Sequence, residues 1–230
     1  MEVAGGIHQV DGVKANCYVV EGPELMLVDT GLPGNAGKIL DYVKNTLSRE
    51  PADVKTIVLT HHHMDHIGNL RELKRITNAK VAAHRDDVDY IAGRRTPLDP
   101  RNVSLKFRIM RLFMKPGYAE TDVVLKENDI VGGYTVVHVP GHTPGSICLM
   151  SPDRKVLFVG DTLRYQNGKM EGPPPQFTLD LVEAIRSIGK IAGLKFDTML
   201  SGHGDPLKPN ASDVVREFVR SVRYEVNLPF

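Results

Sequence analysis

Val54-Lys55-Thr56-Ile57-Val58-Leu59-Thr60-His61-His62-His63-Met64-Asp65-His66 decides the reading of this chain. Residues 54–60 are a β-branched apolar run, the pattern of a buried strand. That pattern stops at Thr60, and imidazoles with a carboxylate crowd the next six positions. His61 and His63 stand at i and i+2, so an extended segment projects them to the same side. Asp65 and His66 follow where the chain turns into a helix predicted over Ile67–Ile76. Imidazole nitrogen and carboxylate oxygen suit zinc and neighbouring first-row metals, with no thiolate required. A solvated polar loop is the plainer alternative.

Working outward, three further clusters sit at predicted strand ends. Pro140-Gly141-His142-Thr143-Pro144-Gly145 follows a strand at Tyr134–Val139, Gly160-Asp161-Thr162 follows Val156–Val159, and Ser201-Gly202-His203-Gly204 follows Thr198–Leu200. Glycine beside each of these histidines lets the backbone turn tightly and come close to a site. Each cluster alone is a turn signal; four strand-end clusters carrying His and Asp are hard to explain as coincidence.

The rest of the chain frames them. Short apolar runs at 14–20 and 24–29 read as a hairpin, a helix is predicted over 36–48, a strand over Ala79–Ala83 and a short helix over Asp86–Ala92. In the second half Ser146–Met150 is another strand. Thr178 is expected to cap a helix carrying Leu181, Ile185, Ile188 and Ile191, and Ser212 a final helix carrying Val215, Val219 and Val222. Strands and helices alternate in two similar halves, so an α/β fold with sheets inside and helices outside is expected.

Composition narrows the function classes. The 230 residues are 41% hydrophobic and 25% charged, which is globular and excludes disorder, collagen and coiled coil. A net charge of +1 gives no reason to expect a nucleic-acid partner, and no apolar run approaches the ~20 residues of a membrane span. Only two cysteines, Cys17 and Cys148, lie far apart, and no basic-then-apolar leader opens the sequence, so a cytoplasmic location is expected. Residues 94–115 carry seven basic side chains and one acid, a local +6 that leaves −5 for the remainder.

THHHMDH, PGHTPGS, GDT and SGHG, in that order and at these spacings, resemble the metallo-β-lactamase superfamily over nearly the whole chain, beginning at VDTG, 28–31. The resemblance implies a four-layer αββα sandwich in a single 1–230 domain with a basic and apolar insert at about 93–120. It implies that His61, His63 and His142 hold one metal, that Asp65, His66 and His203 hold a second, and that Asp161 bridges them, with Asp65 and Asp161 the catalytic carboxylates. His62 and Met64 fall at variable positions and are not expected to be ligands. Asp29 and Thr30 are expected behind the metal loop, because a metal-bound histidine fixes its orientation by donating its other N–H. His8, His84 and His138 read as structural or surface residues.

Two divalent ions, most simply zinc with iron or manganese as substitutes, would outweigh the two carboxylates and make hydroxide available at neutral pH. A metal-bridging hydroxide attacking an ester-type carbonyl, in a thioester or a lactone, is the leading reading, and PGHTPGS resembles the glyoxalase II and lactonase branch. The tail lacks the long helical region of glutathione thioesterases, which argues against a glutathione substrate. A nuclease or phosphodiesterase of the same fold is the alternative, as is an iron-dependent persulfide-type oxygenase. The apolar stretch LKFRIMRLFMK, 105–115, reads as a substrate-gating lid or a homodimer contact rather than an RNA-tracking arm. A small-molecule substrate is the expected partner.

Overall fold

The computed structural model describes residues 1–97 and 117–226, the last five of them by backbone only. Seven strands form the first sheet: β1 (Glu2–Ala4), β2 (Ile7–Gln9), β3 (Tyr18–Val20), β4 (Leu25–Val28), β5 (Val54–Val58), β6 (Lys80–His84) and β7 (Val123–Leu125). The first four pair antiparallel, and β4 to β7 run parallel. A second sheet has the order β14 (Thr198–Ser201), β11 (Val156–Gly160), β10 (Ile147–Ser151), β9 (Tyr134–His138) and β8 (Ile130–Val131). A small hairpin of β12 (Arg164–Gln166) and β13 (Lys169–Glu171) stands apart from both.

Side-chain alternation along the central strands produces the layers. In β4, Met26 and Val28 face the second sheet, while Leu25 and Leu27 face outward onto Ile39, Leu70 and Leu73. In β11, Val156 and Phe158 face the first sheet, while Leu157 and Val159 meet Ile188, Ile191 and Val215. Strands buried on both faces read as unbroken apolar runs, and β4, β10 and β11 are buried at every position. Helices α1 (Ala36–Asp41) and α3 (Leu70–Thr77) cover one outer face; α5 (Leu181–Ala192) and α6 (Ala211–Val226) cover the other. The expected αββα sandwich is what these three apolar layers build.

Several elements differ from expectation. The helix predicted over 36–48 leaves α-geometry after Asp41 and continues as a wider turn to Thr46. The helix predicted over 67–76 is two pieces, α2 (Met64–Ile67) and α3, separated at Gly68-Asn69. Asn69 is taken up there: its Oδ1 accepts from Asn35 N at 2.9 Å and Ala36 N at 3.1 Å, holding the start of α1. Thr178 does not cap α5. Asp180 does, accepting from Glu183 N at 2.9 Å. The final helix begins at Ala211, one residue before the expected cap Ser212. α4 (Val88–Ile91) is the short helix after β6.

Among the described residues no helix is long and apolar enough to cross a membrane. The expected lid or dimer contact, at 105–115, lies outside the described residues. Of the basic residues next to it, Arg94 is paired at the surface with Asp89 and Glu120, and Arg95 lies over the Tyr90 ring.

Candidate metal centre

Strand direction brings the sequence clusters together. β4 and β5 are parallel, so Asp29 and His61 leave the first sheet at the same edge. β9 and β11 both run antiparallel to β10, and β14 is parallel to β11, so His142, Asp161 and His203 leave the second sheet at one edge. The sheets are stitched along that rim. Ile147 N donates to Thr60 O at 2.9 Å, Asn16 N to Gly202 O at 2.7 Å, and the Tyr18 hydroxyl to Ser201 O at 2.7 Å.

All seven predicted ligand residues meet there. Their donor atoms form three overlapping groups: His61, His63 and His142; His61, His66 and Asp161; Asp65, His66 and His203. Ring centroids within the first trio are 4.5–4.8 Å apart. In the last group, His203 Nε2 lies 3.0 Å from Asp65 Oδ2. Asp161 stands between them, with Oδ1 3.3 Å from His66 Nε2, and Oδ2 3.6 Å from His142 Nε2 and 3.4 Å from His203 Nε2.

Three of these imidazoles are oriented through Nδ1. His66 Nδ1 donates to Asp29 Oδ2 at 2.8 Å, and His61 Nδ1 donates to Thr60 Oγ1 at 3.0 Å. Thr60 Oγ1 in turn donates to Asp29 Oδ2 at 2.7 Å, so Asp29 steadies two histidines. Asp29 is buried and takes a left-handed φ of 60°, which suits the sharp exit from β4. Thr30 holds the backbone instead, donating from Oγ1 to His66 O at 2.8 Å. His142 Nδ1 donates to Thr178 Oγ1 at 3.2 Å, and the Thr178 hydroxyl in turn donates to Pro174 O at 2.8 Å. Read from the sequence as a helix cap, Thr178 is a histidine support. Nothing local distinguishes the two roles.

The wiring leaves His61, His66 and His142 Nε2, with Asp161 Oδ1, buried and without a hydrogen-bond partner. Orphaned buried polar atoms are costly, and their convergence is what a metal centre explains. The chain also leaves room. A Cβ at Gly202 would run into Asp161 Oδ1 and the edge of the His66 ring, so only glycine allows this approach. The donor set fits divalent metal ions.

Electrostatics divide the site. Burial, then neighbouring imidazoles, hold His61 and His63 well below the ordinary histidine range, and burial brings His142 down to about 4. Burial also pushes on His66, but Asp161, Asp29 and Asp65 outweigh it and raise that ring well above its usual value. At His203 hydrogen bonds to Asp161 and Asp65 overcome burial and lift it to about 9. Against burial, His66 and His203 bring Asp65 to about 2 and hold Asp161 well below the carboxylate range.

The other histidines stay out of the cluster. His62 turns away, stacked on Tyr90 at 4.4 Å and 17°, with Nδ1 3.0 Å from Asp87 Oδ2. His8 is engaged by Glu21 at 2.6 Å and Tyr42 at 3.2 Å. His84 and His138 stack at 3.9 Å and 15°, and Asp86 completes a further group of donor atoms. Parallel rings aim their in-plane lone pairs alongside one another rather than at one point. His138 Nε2 also lies 2.9 Å from Pro144 O. That pair is an inter-sheet contact. A narrow opening above the first trio is lined by Tyr90, Phe177, Leu179, Pro144, Thr143 and His62 beside His63 and His142.

The sequence profile of the metallo-β-lactamase superfamily matches residues 10–203. A probable metallo-hydrolase of Bacillus subtilis (strain 168), YflN, is 32% identical over 90% of this chain and 86% of its own. The acyl-coenzyme A thioesterase MBLAC2 of Homo sapiens is 30% identical over 66% of this chain and 59% of its own. Among solved structures, the subclass B3 metallo-β-lactamase BJP-1 of Bradyrhizobium japonicum superposes with a TM-score of 0.69 at 24% identity, covering 99% of this chain and 93% of that one, a likeness of fold.

Proposed function

The chain belongs to the metallo-β-lactamase superfamily and is a metal-dependent hydrolase; from that premise we propose that it is a dinuclear zinc enzyme cleaving carbonyl esters, a thioester or a lactone. His61, His63 and His142 would hold one ion, Asp65, His66 and His203 the other, and Asp161 would touch both. When bound, two such ions supply Lewis acidity and lower the pKa of water from 15.7 towards ~7, so no protein nucleophile is needed.

The observation that carries the choice of bond is the lining of the opening. Tyr90, Phe177, Leu179 and Pro144 line one part of it and His62, His63, His142 and Thr143 the rest, and no Lys or Arg is among the described residues lining it. A mouth that sets aromatic and aliphatic side chains against imidazoles and a threonine suits an acyl or lactone group whose carbonyl enters toward the histidines. A phosphodiester track would place cations there. The thioesterase named among the relatives supports the same class. Asp65 is held ionised at neutral pH by His66 and His203 against burial, so its carboxylate would serve a cation as a ligand. Thr143 and His62 border the opening, where a substrate carbonyl would enter. Both cysteines are buried and unpaired, which agrees with the proposed cytoplasmic setting.

The test is a panel of acyl thioesters, lactones, phosphodiesters and β-lactams, assayed with metal analysis before and after chelation. Two zinc ions per chain are expected, with thioester or lactone turnover that chelation removes and zinc restores. Turnover of phosphodiesters alone would replace this reading with the nuclease one. A single iron with oxygen-dependent turnover would replace it with the oxygenase.

A further inference from the structure

Asp87 precedes α4 and is completely buried, far in sequence from every ligand loop it touches. Its Oδ2 accepts from His62 N at 2.9 Å and from Thr143 Oγ1 at 2.8 Å, and its Oδ1 accepts from Gly145 N at 2.8 Å. His62 Nδ1 lies 3.0 Å from the same Oδ2. The first of these contacts belongs to the loop after β5, between His61 and His63. The next two belong to the loop after β9, beside His142. One carboxylate therefore ties together two loops that leave different sheets and carry the whole first trio.

The packing around it is built for this contact. A Cβ at Gly145 would fall 2.6 Å from Asp87 Cγ, so the loop can approach the carboxylate only as glycine. Thr143 Oγ1 and Ser146 Oγ are 2.8 Å apart, which closes the turn onto the same carboxylate. Each partner of Asp87 is a donor. An asparagine would present an amide N–H to at least one of them and leave a buried pair of donors facing each other.

We propose that Asp87 is a positioning residue that sets the separation of His61 and His63 from His142 and thereby the metal affinity of that trio, with His62 serving as its partner rather than as a ligand. The inference rests on the reading that the trio holds a metal. It differs from the role of Asp29, which touches a ligand imidazole directly. Asp87 acts through His62, Thr143 and Gly145, neighbours of the ligands, and touches no ligand imidazole itself.

The experiment measures divalent-ion affinity in single-site backgrounds, with Co²⁺ alone as the probe. His203→Ala leaves the first trio and His142→Ala leaves the second group. Adding Asp87→Asn to His203→Ala should weaken the remaining site about 10- to 100-fold, the usual scale for residues behind a ligand. Adding it to His142→Ala should leave affinity unchanged. Thr143→Val, which removes one donor, should reproduce a smaller loss in the first background only, and Thr143→Ser should restore it. The threonine pair carries the test if the Asp87→Asn chain does not fold. Equal losses in both backgrounds, or none in either, would make Asp87 a packing group and overturn the proposal. Failure of the wild-type chain to bind any ion would instead remove the functional reading beneath it.

Discussion

The first trio, His61, His63 and His142, and the second group, Asp65, His66 and His203, share an edge of the fold yet differ in how they exist without metal. The first is three imidazoles held neutral by burial and mutual repulsion, with nothing acidic among them. The second binds itself together through charge, His203 on Asp65 at 3.0 Å and His66 on Asp29 at 2.8 Å. A cation entering the first displaces no proton at neutral pH. One entering the second must displace protons that its carboxylates hold in place. Two sites made from nearly the same residue types are thus set apart by where the carboxylates fall.

Removing the shared member should erase the contrast. Asp161 reaches His66, His142 and His203 within 3.6 Å, so Asp161→Ala should lose nearly all hydrolysis and bind markedly less metal in both groups. Metal content by elemental analysis and turnover on the responsive ester check this. Two tightly held ions with normal turnover would mean that Asp161 joins nothing.

Titration should sharpen the contrast in metal-free protein. His203 has an ordinary value of 6.5 and about 9 in the fold. Its stabilisation is fully present below 6.5 and is lost as pH rises through about 9. His142 goes the other way, with about 4 in the fold, so the unfolded chain binds more protons between 4 and 6.5 and stability falls on acidification. Urea midpoints of the chelated protein should therefore peak near neutrality. His203→Ala should flatten the alkaline limb and His142→Ala the acid limb. Unchanged limbs in both variants would place the titrating groups elsewhere.

Asp29→Asn should come next, weakening metal affinity or activity about 10- to 100-fold while leaving the fold intact. The loss should fall more on the second group, since Asp29 contacts His66 directly and His61 only through Thr60. Thr178→Val should have the smallest effect, at or below the low end of that range. It removes the Nδ1 partner of His142 at 3.2 Å and leaves a buried N–H unsatisfied. Affinity of the first trio in a His203→Ala background is the measurement, and a loss confined to the second group would reverse the assignment of Thr178.

The ligand loops were legible because their information is local. A buried strand, an abrupt change to His, Asp and Gly, and an i, i+2 spacing lie within a few residues of one another. The central strands were legible for the same reason, each being a short unbroken apolar run. The short strands β1, β2, β7 and β8 are not legible, because two or three residues carry no period. The helix break at Gly68-Asn69 was hidden because Asn69 is committed to residues 33 to 39 positions away.

The sequence by itself determined the layering, the His and Asp clusters at the strand ends and the chemistry they suit, since residue type and local period settle which side chains a strand end presents. Tertiary structure alone decided how those donors are supported and separated. Thr178 reaches His142 across 36 positions, and Asp87 reaches Thr143 and Gly145 across 56 and 58. An aspartate before a helix and a threonine before a helix have the same local signature whether they cap a turn or brace a metal loop. Only the packing of two sheets brings them to the histidines, and hydrogen-bond direction and burial then fix what each one does.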